Sequence, residues 1–212
     1  MKWFLCILVA IAAVVGLYKL RYPTYSYRYR MTVEIDAGGE VRSRSSVIEV
    51  TVTREPKILP EAGPFHRSAQ GQAVFVELPA GKNIVALLTS GAFGERRDYP
   101  LDVVPRVFKV EDVEDLPKLH GQRELAPDQM PTLITVTNPA DAKTAHVVNL
   151  SSMDSLLGAH VLSISVEMTT DPVPAPDIEL HLPFLVQARE RQRSELGYLN
   201  VFTPSYSFFV RR

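Results

Sequence analysis

From residue 25 to residue 36 polar and apolar side chains alternate without a break. Tyr25, Tyr27, Tyr29, Met31, Val33 and Ile35 fall on one side, and Ser26, Arg28, Arg30, Thr32, Glu34 and Asp36 on the other. A strict period of two over that length predicts a half-buried β-strand. Gly38-Gly39 follows and supplies the positive φ values of a tight hairpin, with a second strand running to Thr53. Pairing across the turn sets Ile48, Val50 and Val52 opposite Tyr29, Tyr27 and Tyr25, all on one face. The tyrosines are therefore read as packing residues, in the core or at a membrane interface.

The same reading carries down the chain. Pro56 to Gly71 reads as a breaker segment, and Ala73 to Leu78 and Ile84 to Leu88 as a hairpin about Pro79-Ala80-Gly81. Gly91 to Gly94 reads as a loop without phosphate-loop spacing. Val103 to Val110 reads as a strand moved to an edge by Pro105. Leu133 to Thr137 and Thr144 to Val148 flank the turn Asn138-Pro139-Ala140-Asp141. A short helix at Ser152 to Leu157 is predicted to start from Ser151 or Ser152 and to stop at Gly158. His160 to Thr169 alternates again, with Leu162, Ile164, Val166 and Met168 inward, until three prolines between Asp171 and Pro176 end the strand. Ile178 to Arg212 reads as one short strand, a helix through Arg189, Arg191 and Arg193, and an aromatic tail. Many short strands with one or two short helices predict a mainly β domain, an antiparallel β-sandwich or a partly open barrel.

The first 22 residues break this pattern. Trp3 to Tyr18 is uncharged, and residues 3–20 as a helix approach the thickness of a bilayer core. The expectation is a membrane anchor over residues 1–22 and a single β-rich soluble domain over residues 23–212. A cleaved signal peptide is the alternative, since Ala10-Ile11-Ala12 has the small-x-small pattern of a cleavage site; the domain would then be periplasmic. Lys19, Arg21, Arg28 and Arg30 outweigh Lys2, a bias that favours a cytoplasmic domain at the bacterial inner membrane. Lys19, Arg21, Tyr22, Arg28 and Arg30 are the candidate membrane-surface contacts.

Charge sharpens the division. Residues 1–30 hold five basic and no acidic side chains, so the remaining 182 carry 18 basic and 24 acidic groups, a net charge of −6. Acidic headgroups suit the basic stalk, and a nucleic-acid function would need the basic surface on the domain instead. The one cysteine, Cys6, rules out an internal disulfide. The acidic run Glu111 to Asp115 lacks EF-hand spacing. His66, His120, His146, His160 and His181 show no zinc-site spacing, and His160 and His181 read as sheet histidines. Ser151, Ser152 and Asp154 lack a nucleophile elbow and read as capping residues. No cofactor, metal or catalytic residue is assigned. The expected function is a non-enzymatic interaction, accessory or scaffold module with a protein partner. The alternatives are a small-molecule or lipid-binding domain at the membrane surface and a hydrolase with a non-motif site.

Two segments carry a resemblance: Tyr27 to Glu34 with Ser45 to Val50, and Leu133 through Asn138-Pro139, Leu156-Leu157-Gly158 and Val166 to Thr169 to Leu182-Pro183-Phe184-Leu185. About half the chain resembles a group of membrane-anchored proteobacterial proteins of unknown function. That group carries Asp-Pro, Phe-Gly and Leu-Pro-Trp-Leu where this chain has Asn-Pro, Leu-Gly and Leu-Pro-Phe-Leu. The resemblance implies an anchor followed by a domain, and assigns no functional residue.

Overall fold

A computed structural model describes residues 2–56, 63–194 and 206–211, with the side chains at 2, 5, 6, 8–10 and 191–194 outside the description. The alternating segment is a strand, β1 (Thr24–Ala37), and it turns through Gly38 and Gly39 at φ 69° and 88° into β2 (Glu40–Arg54). The register is the one the turn dictates: Tyr25, Tyr27 and Tyr29 face Val52, Val50 and Ile48. Before this hairpin stands one helix, α1 (Lys2–Arg21), joined to it by Tyr22 and Pro23. The Arg54 amide donates to the Pro23 carbonyl at 3.0 Å, so the domain's ladder begins at the helix exit. Among the described residues, which leave out the side chains at 5, 6 and 8–10 within α1, no helix is long and apolar enough to cross a membrane.

Part of the expected breaker segment is a third strand, β3 (Phe65–Gln72), which pairs with β2; residues 57–62 lie outside the described residues. The sequence FHRSAQGQ buries little on either face, so no hydrophobic period announces it, and the edge of β2 supplies its order. Gly71, at φ 154°, lies so close to β2 that a Cβ there would stand 3.0 Å from the Ile48 side chain and from the Val47 carbonyl. The predicted hairpin follows as β4 (Val74–Glu77) and β5 (Asn83–Ala86).

Val103 to Val110 is not a strand. Tyr99–Phe108 forms a helix, α2, with Pro100 in its first turn and Tyr99, Pro100, Val103 and Val104 buried. Two adjacent buried valines cannot share one face of a strand but sit side by side on a helical stripe. Pro105 costs only one intrahelical bond near the end, and Lys109 closes the helix in the left-handed region at φ 56°.

Next come β6 (Gln122–Glu124) and the second predicted hairpin, β7 (Leu133–Val136) with β8 (Ala145–Val147). Helix α3 (Leu150–Leu157) has Asn149, not Ser151 or Ser152, at its N-cap position, without a side-chain cap bond; the Ser152 Oγ donates to the Asn149 carbonyl at 3.1 Å, and Gly158 stops the helix as expected. Strand β9 (Ala159–Met168) pairs with β1. A short helix, α4 (Ile178–His181), is followed by α5 (Phe184–Ser194), the helix expected through Arg189, Arg191 and Arg193, and a short strand, β10 (Val210–Arg211), ends the described chain. The aromatic tail up to residue 205 lies outside the described residues.

These strands form two antiparallel sheets, ordered β10-β3-β2-β1-β9-β6 and β4-β5-β7-β8, so the molecule is a β-sandwich rather than a barrel. Tyr29, Met31, Val33 and Ile35 of the large sheet pack with Val74, Val76, Ile84 and Ala86 of the small one in a single buried cluster. The opposite face of the small sheet, through Val85, Ile134 and Val136, packs on Ile178, Leu182, Leu185 and Phe209. The layers are therefore sheet, sheet and helices, and β5, covered on both faces, is buried at every residue.

One inward position is overturned. The β1–β9 register shifts between Glu34 and Ile35, so Glu34 faces Ser163 while Ile35 faces Val161. Leu162 is the extra residue of this bulge and is 44 % exposed, whereas Ile164 is fully buried. Ile164→Ala should therefore cost about 2–5 kcal/mol and Leu162→Ala about 0.5 kcal/mol or less, measured as urea unfolding midpoints of the chain in mild detergent. Equal losses would restore the unbroken alternation.

Candidate functional site

The outer face of β1 places Arg28 directly opposite Glu49 on β2, and Arg30 directly opposite Glu167 on β9. Facing pairs on a sheet lie close enough to bond, and both do. Arg28 Nε donates to Glu49 Oε2 at 2.9 Å and its Nη1 to the Thr170 carbonyl at 3.4 Å. Arg30 donates to Glu167 at 3.1 Å and also to Asp171. The structure thus separates the five candidate membrane-surface residues into two sets. Arg28 and Arg30 belong to ion pairs on the sheet. Lys19 and Arg21 stand exposed in the last turn of α1, with no carboxylate partner among the described residues. Tyr22 leans on Tyr18, ring centres 5.0 Å apart, with the Arg21 guanidinium 6.0 Å from the Tyr22 ring centre.

An open groove of about 520 Å³ lies beside the Arg28–Glu49 pair. Its floor is Ser26, Tyr27 and Arg28 of β1 with Glu49. One wall is Met168, Thr169 and Thr170, where β9 runs out; the other is Pro117, Leu119 and His120. Each wall is placed by backbone bonds. The Thr169 amide donates to the Arg28 carbonyl and the Met168 amide to the Gly121 carbonyl, both at 3.0 Å. The segment before His120 is a 3-10 turn over Val113–Lys118, pinned by buried Val113 and Leu116. The acidic run lies here, with Asp115 paired to Lys118 at 2.8 Å. Among the described residues, no group of three or more His, Cys, Asp or Glu side chains is placed to hold a metal.

The histidines are scattered. His160 is exposed, with Nε2 3.7 Å from Asp36 Oδ2, and His181 stacks on Phe75 with ring centres 4.6 Å apart. His160 is a sheet histidine as expected, on the outer face of β9, whereas His181 ends a helix. Among the described residues none of the five histidines hydrogen-bonds a serine, and Ser152 and Asp154 serve α3 through backbone contacts. Of the groove residues, Glu49 could be found from sequence, because the turn register that pairs Tyr29 with Ile48 also pairs Arg28 with Glu49. His120, Met168 and Thr170 come from distant segments and carry no local signal.

Tyr27 reaches from the groove floor into the core, and burial pushes its phenol well above its ordinary value. Its Oη is buried without a hydrogen-bond partner. Tyr29, fully buried, is also pushed up by desolvation but donates to the Pro100 carbonyl at 3.1 Å. Each folded-state pKa is raised, so the neutral phenols stabilise the fold fully below about pH 10, and that stability is lost as pH rises beyond it. Opposite effects follow at pH 7. Tyr27→Phe should raise stability by about 1 kcal/mol, because an unsatisfied hydroxyl leaves the core, and Tyr29→Phe should lower it by about 1 kcal/mol. Tyr27→Phe should also weaken the alkaline loss, read from urea midpoints between pH 7 and pH 11. A loss of stability in Tyr27→Phe at pH 7 would mean that its hydroxyl has a partner.

Comparison with known proteins gives no match: no family model, no curated protein and no solved structure is similar to this chain.

Proposed function

We propose that the chain is a single-pass membrane-tethered β module that works by protein contact at the bacterial inner membrane, as an accessory or scaffold subunit. The observation that carries this reading is α1. Residues 3–18 hold no charged side chain. Among its described side chains, Trp3 and Leu20 are 86 % and 80 % exposed, and Ile11, Val14 and Leu17 are at least half exposed. A 20-residue helix is about 30 Å long, the thickness of the hydrocarbon core. Exposed apolar surface on that scale calls for lipid or a partner.

Residues 1–22 serve as the anchor and residues 23–212 as the domain. Lys19, Arg21 and Tyr22 meet the headgroups, where a free cation contributes about 1 kcal/mol against acidic lipid. Arg28 and Arg30 add less, because Glu49, Glu167 and Asp171 already answer their charges. The bias of basic residues after the span favours a cytoplasmic domain. The resemblance to membrane-anchored proteobacterial proteins supports the same organisation. A second reading, a small-molecule or lipid-binding domain at the membrane surface, is supported by the groove beside Arg28, whose volume of about 520 Å³ suits a small ligand.

Ile11→Asp combined with Val14→Asp should move the protein from the carbonate-resistant membrane fraction to the supernatant, since each central aspartate costs about 2.5–3.5 kcal/mol in the bilayer. Wild-type protein in the supernatant would end the anchor reading. A C-terminal reporter fusion should be active on the cytoplasmic side; periplasmic activity would reverse the topology. A pull-down from mild detergent should recover a stoichiometric protein partner, and recovery of none would count against the scaffold role.

A further inference from the structure

We infer that the groove binds a small zwitterion, an ammonium and a phosphate or carboxylate joined by a short spacer. This deepens the second reading above and names the ligand class. The Arg28–Glu49 pair leaves hydrogen-bonding capacity unused. Arg28 commits Nε to Glu49 and Nη1 to the Thr170 carbonyl, which leaves Nη2 as a donor. Glu49 commits Oε2, which leaves Oε1 as an acceptor. Both side chains line the groove and are 36 % and 25 % exposed, a partly desolvated setting. A lone anion here would meet Arg28 but also Glu49, and a lone cation would meet the reverse. Either brings a net charge to a half-buried neutral pair, which is unfavourable. A zwitterion presents its anion to Nη2 and its ammonium to Oε1 and keeps the site neutral, with two charge-assisted hydrogen bonds. Leu119 and Met168 form the apolar flank on which the spacer and any attached glyceryl carbons can lie.

The groove floor begins at Ser26, five residues beyond Arg21, and a chain of that length reaches at most about 18 Å. A zwitterionic headgroup of the bilayer and a free zwitterion can therefore both supply this chemistry.

The test uses the full-length protein in maltoside detergent, with the His120 ring resonance as reporter and four probes: the neutral zwitterion glycerophosphoethanolamine, ethanolamine, the monoanionic diester glycerophosphoglycerol, and glycerol. Glycerophosphoethanolamine should give a saturable shift, and each singly charged probe should bind on the order of tenfold more weakly or worse. Glu49→Gln should weaken glycerophosphoethanolamine by on the order of tenfold. The exchanged pair Arg28→Glu with Glu49→Arg keeps both charges and should restore binding to within a few-fold of wild type. Equal affinity for glycerophosphoglycerol and glycerophosphoethanolamine, or no effect of Glu49→Gln, overturns the zwitterion class while the groove remains a ligand site. No saturable shift from any probe overturns the ligand-binding reading as well. Reconstitution in phosphatidylglycerol vesicles with and without phosphatidylethanolamine separates the sources. Competition by the ethanolamine lipid identifies a headgroup site, and unchanged affinity identifies a site for the free zwitterion.

Discussion

The register of β1 is the constraint on which the other features rest. The strand is bonded to β2 from Thr24 to Ala37 and to β9 from Tyr29 to Ala37, and its side chains alternate between a dry face and a wet one. A slip of one residue would turn the row from Tyr27 to Ile35 outward and drive Arg28, Arg30, Glu34 and Asp36 into the core. The cost of burying four charges without partners exceeds the few kcal/mol by which a domain of this size is stable. The same register sets Tyr29 beneath α2, Arg28 against Glu49 and Arg30 against Glu167. Core and groove are thus two faces of one alignment.

Magnitudes show which face does the holding. Half-exposed ion pairs such as Arg28–Glu49 contribute about 0–1 kcal/mol each, whereas a single buried residue such as Ile164 contributes several times that. The outer charges therefore do little to set the fold. Their pairing sets Arg28 against Glu49 and Arg30 against Glu167, while Glu34, Asp36 and Asp171 leave the rest of that face acidic.

Wherever the determining interactions were close in sequence, the fold was legible. The β1–β2 hairpin, the β4–β5 and β7–β8 hairpins and the end of α3 at Gly158 all follow from alternation plus a turn residue a few positions away. β3 was not legible, because FHRSAQGQ has no apolar row and its order comes from an edge made elsewhere. α2 departs from the strand that its sequence suggests because Pro105 points to a sheet edge, while the decisive fact, that Val103 and Val104 are both buried, is tertiary. Leu162 departs from the alternation because the bulge depends on how β9 meets Glu34 and Ile35, more than a hundred residues upstream. The candidate site divides in the same way. Arg28 and Glu49 share a hairpin and could be paired on paper, whereas His120 and Thr170 join them only once β6 and β9 are in place.

The two-residue junction Tyr22-Pro23 has a mechanical consequence. The proline restricts φ, and the Pro23 carbonyl is held by the Arg54 amide, so little slack separates the end of α1 from the first bonded residue of β1. A pull transmitted along the chain from α1 enters the sheet at the end of an interior strand, not at a free edge. The ladders to β2 and β9 run parallel to that pull, so their bonds share the load in shear instead of opening one after another as in unzipping. Tension applied through α1 would then be resisted by the most cooperative part of the sandwich, with the peripheral β10 and β6 outside the load path.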